Sequence, residues 1–247
     1  MMSDIAIQVT NVSKKFRLHH ERRNSIYEAI TGFLKKDRYY ENLQVLDNVS
    51  FDVKKGEMVG IIGRNGAGKT TILRLLSGIY QPDSGTIKTD GTVIPFLGLG
   101  LGFNPELTAR DNIIIYGRLL GFSKKKIEEK EEEIVKFAEL ERFEDTKIKN
   151  FSSGMAARLA FATAVQVDPD IILVDEILSV GDIAFQKKSY ETFLSFKERK
   201  KSIVVVTHNM DIIRKDCDRA MFLDEGKIKM MGEPEKVIEF YVNESNK

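Results

Sequence analysis

Cysteine is nearly missing from this chain of 247 residues: Cys217 stands alone, so no internal disulfide can form and a reducing compartment is the default. A lone thiol of this kind usually packs as a small core residue. Long hydrophobic runs are missing too. No stretch approaches the ~18 consecutive apolar residues of a transmembrane helix, and the longest apolar run, 93–103, is broken by Pro95, Gly98, Gly100 and Gly102. If the protein works at a membrane, something else crosses it. Residues 1–10 alternate polar and apolar and hold no signal-peptide core. An excess of one charge is also lacking: 38 basic side chains face 37 acidic ones, a net of +1, so no nucleic-acid partner is expected and any basic patch must be local. Internal repeats and low-complexity segments are absent.

What is there suits one α/β domain, or a core with an inserted lobe, since 42% of the residues are hydrophobic. Ile5, Ile7 and Val9 alternate as in a half-buried strand, as do Val49, Phe51 and Val53. Met58–Ile62, 171–174 and 203–206 are continuous apolar runs, the mark of strands buried on both faces of a parallel sheet. Asp83-Ser84-Gly85 and Asp90-Gly91 read as turns around a short strand. Residues 104–165 change to a helical pattern, with Ser123 capping a charged helix in which Ile127, Ile134 and Ala138 share a face. Residues 220–231 make a hairpin around Asp224-Glu225-Gly226, and a last helix begins at Pro234.

The string Gly63-Arg64-Asn65-Gly66-Ala67-Gly68-Lys69-Thr70 matches G-x-x-x-x-G-K-[ST] in full, after a buried strand and before a helix. Such a loop closes backbone N–H groups around a phosphate, and the helix N-terminus adds its positive dipole end. Lys69 is expected at the β- and γ-phosphates, Thr70 on Mg²⁺ and Thr71 at the α-phosphate. The strand over 171–174 ends in Asp175 and Glu176. Asp175 is expected in the Mg²⁺ shell. Glu176 is expected to orient and polarise an attacking water. On its own, a strand-end acidic pair is an ordinary surface feature; beside the phosphate loop it reads as catalytic. His208 ends the next strand, where a neutral imidazole can sense a γ-phosphate. These features fit a kinase-like enzyme equally well.

Phe151-Ser152-Ser153-Gly154-Met155, just before a helix expected over 156–165 and upstream of Asp175-Glu176, separates the two. It resembles the signature of ATP-binding cassette (ABC) ATPases, usually L-S-G-G-Q. The resemblance, running from about Ile5 to Phe240, implies that Ser152, Ser153 and Gly154 bind the γ-phosphate of a nucleotide held by a partner subunit. It also implies that Asp182 belongs to a loop crossing the dimer interface. Phe16 falls where the family stacks an aromatic on adenine, although an aromatic after a strand is often a core residue.

Several strings are similar to those of ATPases that export O-antigen, capsule and teichoic acid polymers. They are Phe151 through Arg158 to Phe161, Asp175 through Asp182 with Phe185-Gln186-Lys187-Lys188, and Gly102-Phe103-Asn104-Pro105 through Ile113. Two features depart from most of the family. Where a Q-loop glutamine is usual, this chain has Leu97-Gly98-Leu99-Gly100-Leu101-Gly102, in which no side chain can bind Mg²⁺. Between Phe16 and Val45, residues 22–38 can form a basic helix with Ile26, Ala29, Ile30, Phe33 and Leu34 on one stripe. That helix would either pack on its own domain or lie at lipid head groups.

The resemblance implies a P-loop NTPase (RecA-like) α/β fold, with a parallel-sheet core, an antiparallel β edge and an inserted α-helical subdomain. Residues 1–247 form a single domain on this reading. Segments 1–95 and 166–232 make the nucleotide-binding core with its β edge, 96–165 the helical subdomain and 233–247 a C-terminal helix and tail. The expected activity is Mg²⁺-dependent ATP hydrolysis powering polysaccharide export. The chain would act as a homodimer joined through its ATP sites, bound to an integral-membrane transporter subunit that makes most of the contact with the polysaccharide. It would sit peripherally on the cytoplasmic side of the membrane. The alternatives are an ABC transporter ATPase for another substrate class and a soluble ABC protein of translation or DNA repair. Some O-antigen exporters carry a further C-terminal carbohydrate-binding domain, which this chain either lacks by type or has lost.

Overall fold

Two sheets carry the molecule, and the continuous apolar runs build the larger one. The computed structural model describes residues 4–19, 40–166, 168–175 and 181–245. The expected helix over 22–38 and the candidate Glu176 lie outside the described residues. β1 (Ile5–His19), β2 (Tyr40–Lys54), β3 (Met58–Ile62), α1 (Lys69–Leu76), β4 (Ser84–Thr89) and β5 (Val93–Phe96) open the chain. A helical block follows: α2 (Ala109–Leu119), α3 (Lys124–Ala138) and α4 (Ser153–Val165). The chain then returns through β6 (Ile171–Asp175), α5 (Ile183–Glu198), β7 (Ser202–Val206), α6 (Met210–Asp216), β8 (Arg219–Asp224), β9 (Lys227–Gly232) and α7 (Pro234–Ser245).

The six-stranded sheet has the order β5-β6-β7-β3-β8-β9, parallel except for β9. Its strands alternate between two cores. Val59, Ile61, Ile171, Leu173, Val204 and Val206 face one side, where α1 and the antiparallel β2-β1-β4 sheet cover them. Met58, Ile62, Ile172, Val174, Ile203 and Val205 face the other, packed on Phe161, Phe185, Phe193 and Phe196. Burial on both faces is what the unbroken apolar runs required. Gly60 allows the close approach of α6, because a Cβ there would lie 2.3 Å from Ile213 Cδ1 and 2.9 Å from Cys217 Sγ. Cys217 is buried, and burial pushes its thiol up to about 12, so it packs as an apolar residue.

Three local expectations need correction. Ser84 and Gly85 belong to β4 rather than to a turn; Gly85, at φ 83°, presses against the Thr10 and Asn11 carbonyls where β1 is bulged. α4 begins at Ser153, not Ala156, because the Ser152 hydroxyl caps it by accepting from Met155 N at 3.2 Å. Ser153, Gly154 and Met155 therefore form its first turn. Phe16 does not follow a strand but lies within β1, opposite Leu43 of β2.

Inside the helical block, Thr108 and Asp111 form a reciprocal capping box at the start of α2. Asn112, fully buried, donates to the Asn104 and Thr108 carbonyls at 3.0 and 2.8 Å and accepts from Asn104 N at 2.6 Å. The Asn104-Pro105 loop is thus tied down by one side chain. Leu97 and Leu99 of the glycine-rich loop pack against the two different cores, whereas Leu101 is 72% exposed. Among the described residues, no helix is long and apolar enough to cross a membrane.

Candidate active site

The carboxyl ends of β3, β6 and β7 converge, the usual place for ligands of an open parallel sheet. β3 leads into the glycine loop, β6 ends in Asp175, and β7 runs out through Thr207 to His208. Together with α1 they line a depression of about 760 Å³ that includes Asn65, Gly66, Gly68, Lys69, Thr70, Thr71, Asp175 and His208. Gly63 and Ala67 complete the loop from beneath. Gly63 must lack a Cβ, which would lie 2.0 Å from the Leu223 carbonyl oxygen. The β8–β9 turn braces the loop from that side, with Gly226 N donating to the Ala67 carbonyl at 3.2 Å.

Gly68, at φ 104°, starts α1 with no side-chain cap, which leaves the first N–H groups of the helix for a ligand. Lys69 is 7% exposed, and its Nζ donates to the Gly63 and Arg64 carbonyls at 2.7 and 2.9 Å. Its charge therefore lies inside the loop where a phosphate would sit. Thr70 Oγ1 donates to Asp175 Oδ2 at 2.9 Å, so the two expected metal ligands are already in contact. A hydroxyl and a carboxylate are hard oxygen donors. Mg²⁺ commonly takes only one or two such protein donors, with phosphate oxygens and water filling the rest. His208 is exposed, in a short turn fixed on both sides: Asn209 N donates to Thr207 Oγ1 at 3.0 Å, and Asn209 Oδ1 accepts from Asp211 N at 2.9 Å.

The other end of the depression is apolar, lined by Phe16, Leu18, Leu43, Val45 and Tyr80. The rings of Phe16 and Tyr80 meet edge to face at 5.3 Å. Asp83 holds the part of β1 just before Phe16. It accepts from Lys15 N at 2.6 Å and pairs with Lys14 at 3.1 Å, and the Lys15 N–H, ahead of the Lys14 contacts, holds its carboxyl below the usual range. Tyr80 was not legible as a site residue, because it reaches Phe16 only through the tertiary fold. If this end holds a base, Phe16→Ala should weaken nucleotide binding by about 1–2 kcal/mol, or roughly five- to thirty-fold. Titration with a fluorescent ATP analogue measures this, and unchanged affinity would assign Phe16 to packing alone.

Ser152, Ser153, Gly154 and Asp182 line a separate depression of about 630 Å³, with Met155, Ala157, Arg158 and Gly181. Among the described residues it shares no lining residue with the first. Asp182 caps α5, its Oδ1 accepting from Phe185 N at 3.0 Å. The structure thus brings Lys69, Thr70, Thr71, Asp175, His208 and Phe16 together and sets the signature residues and Asp182 apart from them.

The sequence profile of the ABC transporter family matches residues 46–179. The O-antigen export system ATP-binding protein RfbB of Klebsiella pneumoniae is 43% identical over 240 residues, covering 95% of this chain and 96% of that protein. The teichoic acids export ATP-binding protein TagH of Bacillus anthracis is 35% identical over 235 residues, covering 95% of this chain and 42% of that one. A solved structure described as a dimeric post-hydrolysis state of the ATP-binding cassette MJ0796 with ADP and Pi superposes with a TM-score of 0.72. It is 24% identical and covers 92% of this chain and 98% of that one, which establishes the shared fold. A phosphate loop, a strand-end carboxylate beside its threonine, and a signature helix on a cassette fold therefore agree with the sequence relationship: the chain belongs to the ABC transporter family.

Proposed function

We propose that this chain is the Mg²⁺-dependent ATPase subunit that powers export of a lipid-linked cell-surface polysaccharide, such as O-antigen or teichoic acid, through a separate membrane-spanning partner. The observation that carries the ATPase reading is the presence, on one chain, of a depression at the phosphate loop and another at the signature helix that share no lining residue among the described residues. A complete site then needs two copies, each supplying its phosphate loop to one nucleotide and its signature helix to the other. The identity to RfbB, which extends over nearly the whole of both chains, supports the export reading.

In this reading the N–H groups at the start of α1 and the Lys69 ammonium hold the β- and γ-phosphates. Thr70 and Asp175 would hold Mg²⁺, which when bound neutralises charge on the phosphate oxygens. Glu176 orients the attacking water and accepts its proton, and His208 contacts the γ-phosphate. Ser152 and the N–H groups of Ser153 and Gly154 grip the γ-phosphate of the second copy's nucleotide. Residues 96–165 act as the moving helical lobe, and the exposed Leu101 and Leu119 give it an apolar surface for the membrane partner. The protein then works peripherally at the cytoplasmic face of the membrane.

Reconstitution tests the substrate class. In vesicles holding the complex of this chain with its membrane partner, ATP hydrolysis should rise when lipid-linked polysaccharide is added, and the polymer should become accessible on the far side. Transport of an unrelated solute with no response to polysaccharide would contradict the export reading.

A further inference from the structure

The signature depression has to accept a polyanion, yet a carboxylate lines it. Asp182 is largely exposed there, and α4 brings no acidic residue to its own first turn. Arg158, one turn further along α4, answers that charge. Its guanidinium donates to Asp182 Oδ2 and to Glu139 Oε2, the latter at 3.4 Å, and lies 5.0 Å from the centre of the Phe185 ring. Gly181, at φ 74°, packs so closely that a Cβ would stand 3.1 Å from Arg158 Nε. Four elements therefore meet at one side chain: α4, the Gly181-Asp182 turn, the start of α5 and the end of α3. Lys188 completes the chain of charges, donating to Glu139 at 3.1 Å and to the Phe137 carbonyl at 2.8 Å.

We propose that Arg158 is a positioning residue: it neutralises Asp182 and ties the 181–182 turn to the signature helix, so that the depression accepts the γ-phosphate end of a nucleotide held by a second copy of this chain. The inference rests on the shared-site reading above. Without Arg158, Asp182 keeps its negative charge, because the Phe185 N–H continues to favour the ionised form. An uncompensated carboxylate then faces the incoming phosphate. The pair is exposed on the Asp182 side, so a loss of about three-fold per site is expected, and about ten-fold in a dimer that closes two such sites.

The experiment measures ATP-driven dimerisation by sedimentation in the Glu176→Gln background. Arg158→Ala should weaken dimerisation about ten-fold, and Arg158→Gln, which keeps more of the stem over Phe185, should weaken it similarly. Nucleotide binding by the monomer should not change. Adding Asp182→Asn, which removes the charge and keeps a helix-capping oxygen, should restore most of the loss. Normal dimerisation in both Arg158 variants, or no recovery with Asp182→Asn, would overturn the proposal; the latter result would mean that Arg158 touches the phosphate itself. Gly154→Asp separates the premises. If it also dimerises normally, the shared site is wrong, whereas if it alone fails, only the role of Arg158 is lost.

Discussion

Glu176→Gln should abolish turnover while leaving ATP binding intact. The amide is nearly isosteric with the carboxylate but cannot take a proton from water, and a positioned general base contributes about 10²–10⁴-fold in rate. Lys69, Thr70 and Asp175, which form the loop and its metal end, are unaltered. The variant should bind ATP with its parent's affinity and accumulate as a nucleotide-bound dimer, since closure no longer ends in hydrolysis. Steady-state phosphate release and sedimentation in ATP check both halves. Undiminished hydrolysis would remove Glu176 from its role and shift attention to His208, whose turn is fixed at the same edge of the sheet.

The parts of this site that sequence makes legible are those in which one short segment contains the whole device. The phosphate loop is contiguous, and the strand before it is visible because both of its faces are buried. Asp175 is legible as a strand end, and its pairing with Thr70 follows from the parallel neighbour relation of β6 and β7 beside β3. The lengths of β1 and β2 were hidden, because residues 40–44 of β2 are all exposed and carry no alternation. The start of α4 was hidden for a different reason. Ser152-Ser153-Gly154 has weak helix propensity, and only the cap formed with Met155 N shows that the helix has begun. Tyr80, Asp83 and Arg158 owe their contacts to partners 19 to 69 residues away. No local pattern announces contacts of that range.

The arrangement of Lys188 and Arg158 also gives a physical reason for strings that the sequence offers only as likeness. Lys188 lies over the Phe137 ring at 4.4 Å while holding the end of α3, and Arg158 joins that same end to Asp182. Charge and aromatic contacts here join the end of α3 and the signature helix to the start of α5.

The most direct test of the central claim, that each site is built from two copies, is a mixing experiment. Lys69→Ala removes the phosphate-binding charge from one chain. Gly154→Asp puts a carboxylate into the signature depression of the other, where, among the described residues outside the helix backbone, the nearest atom to a new Cβ is Ser152 Oγ at 3.8 Å, so the Cβ fits without crowding. Each variant alone should be inactive. In a heterodimer, the intact Lys69 of one chain meets the intact Gly154 of the other, giving one sound site and one doubly damaged site. Random mixing of equal amounts makes about half the dimers mixed, so up to about a quarter of the parent ATPase rate should return. If instead each chain completes its own site, both sites of the mixed dimer stay broken. No recovery in a sample proven to contain heterodimers would contradict the account.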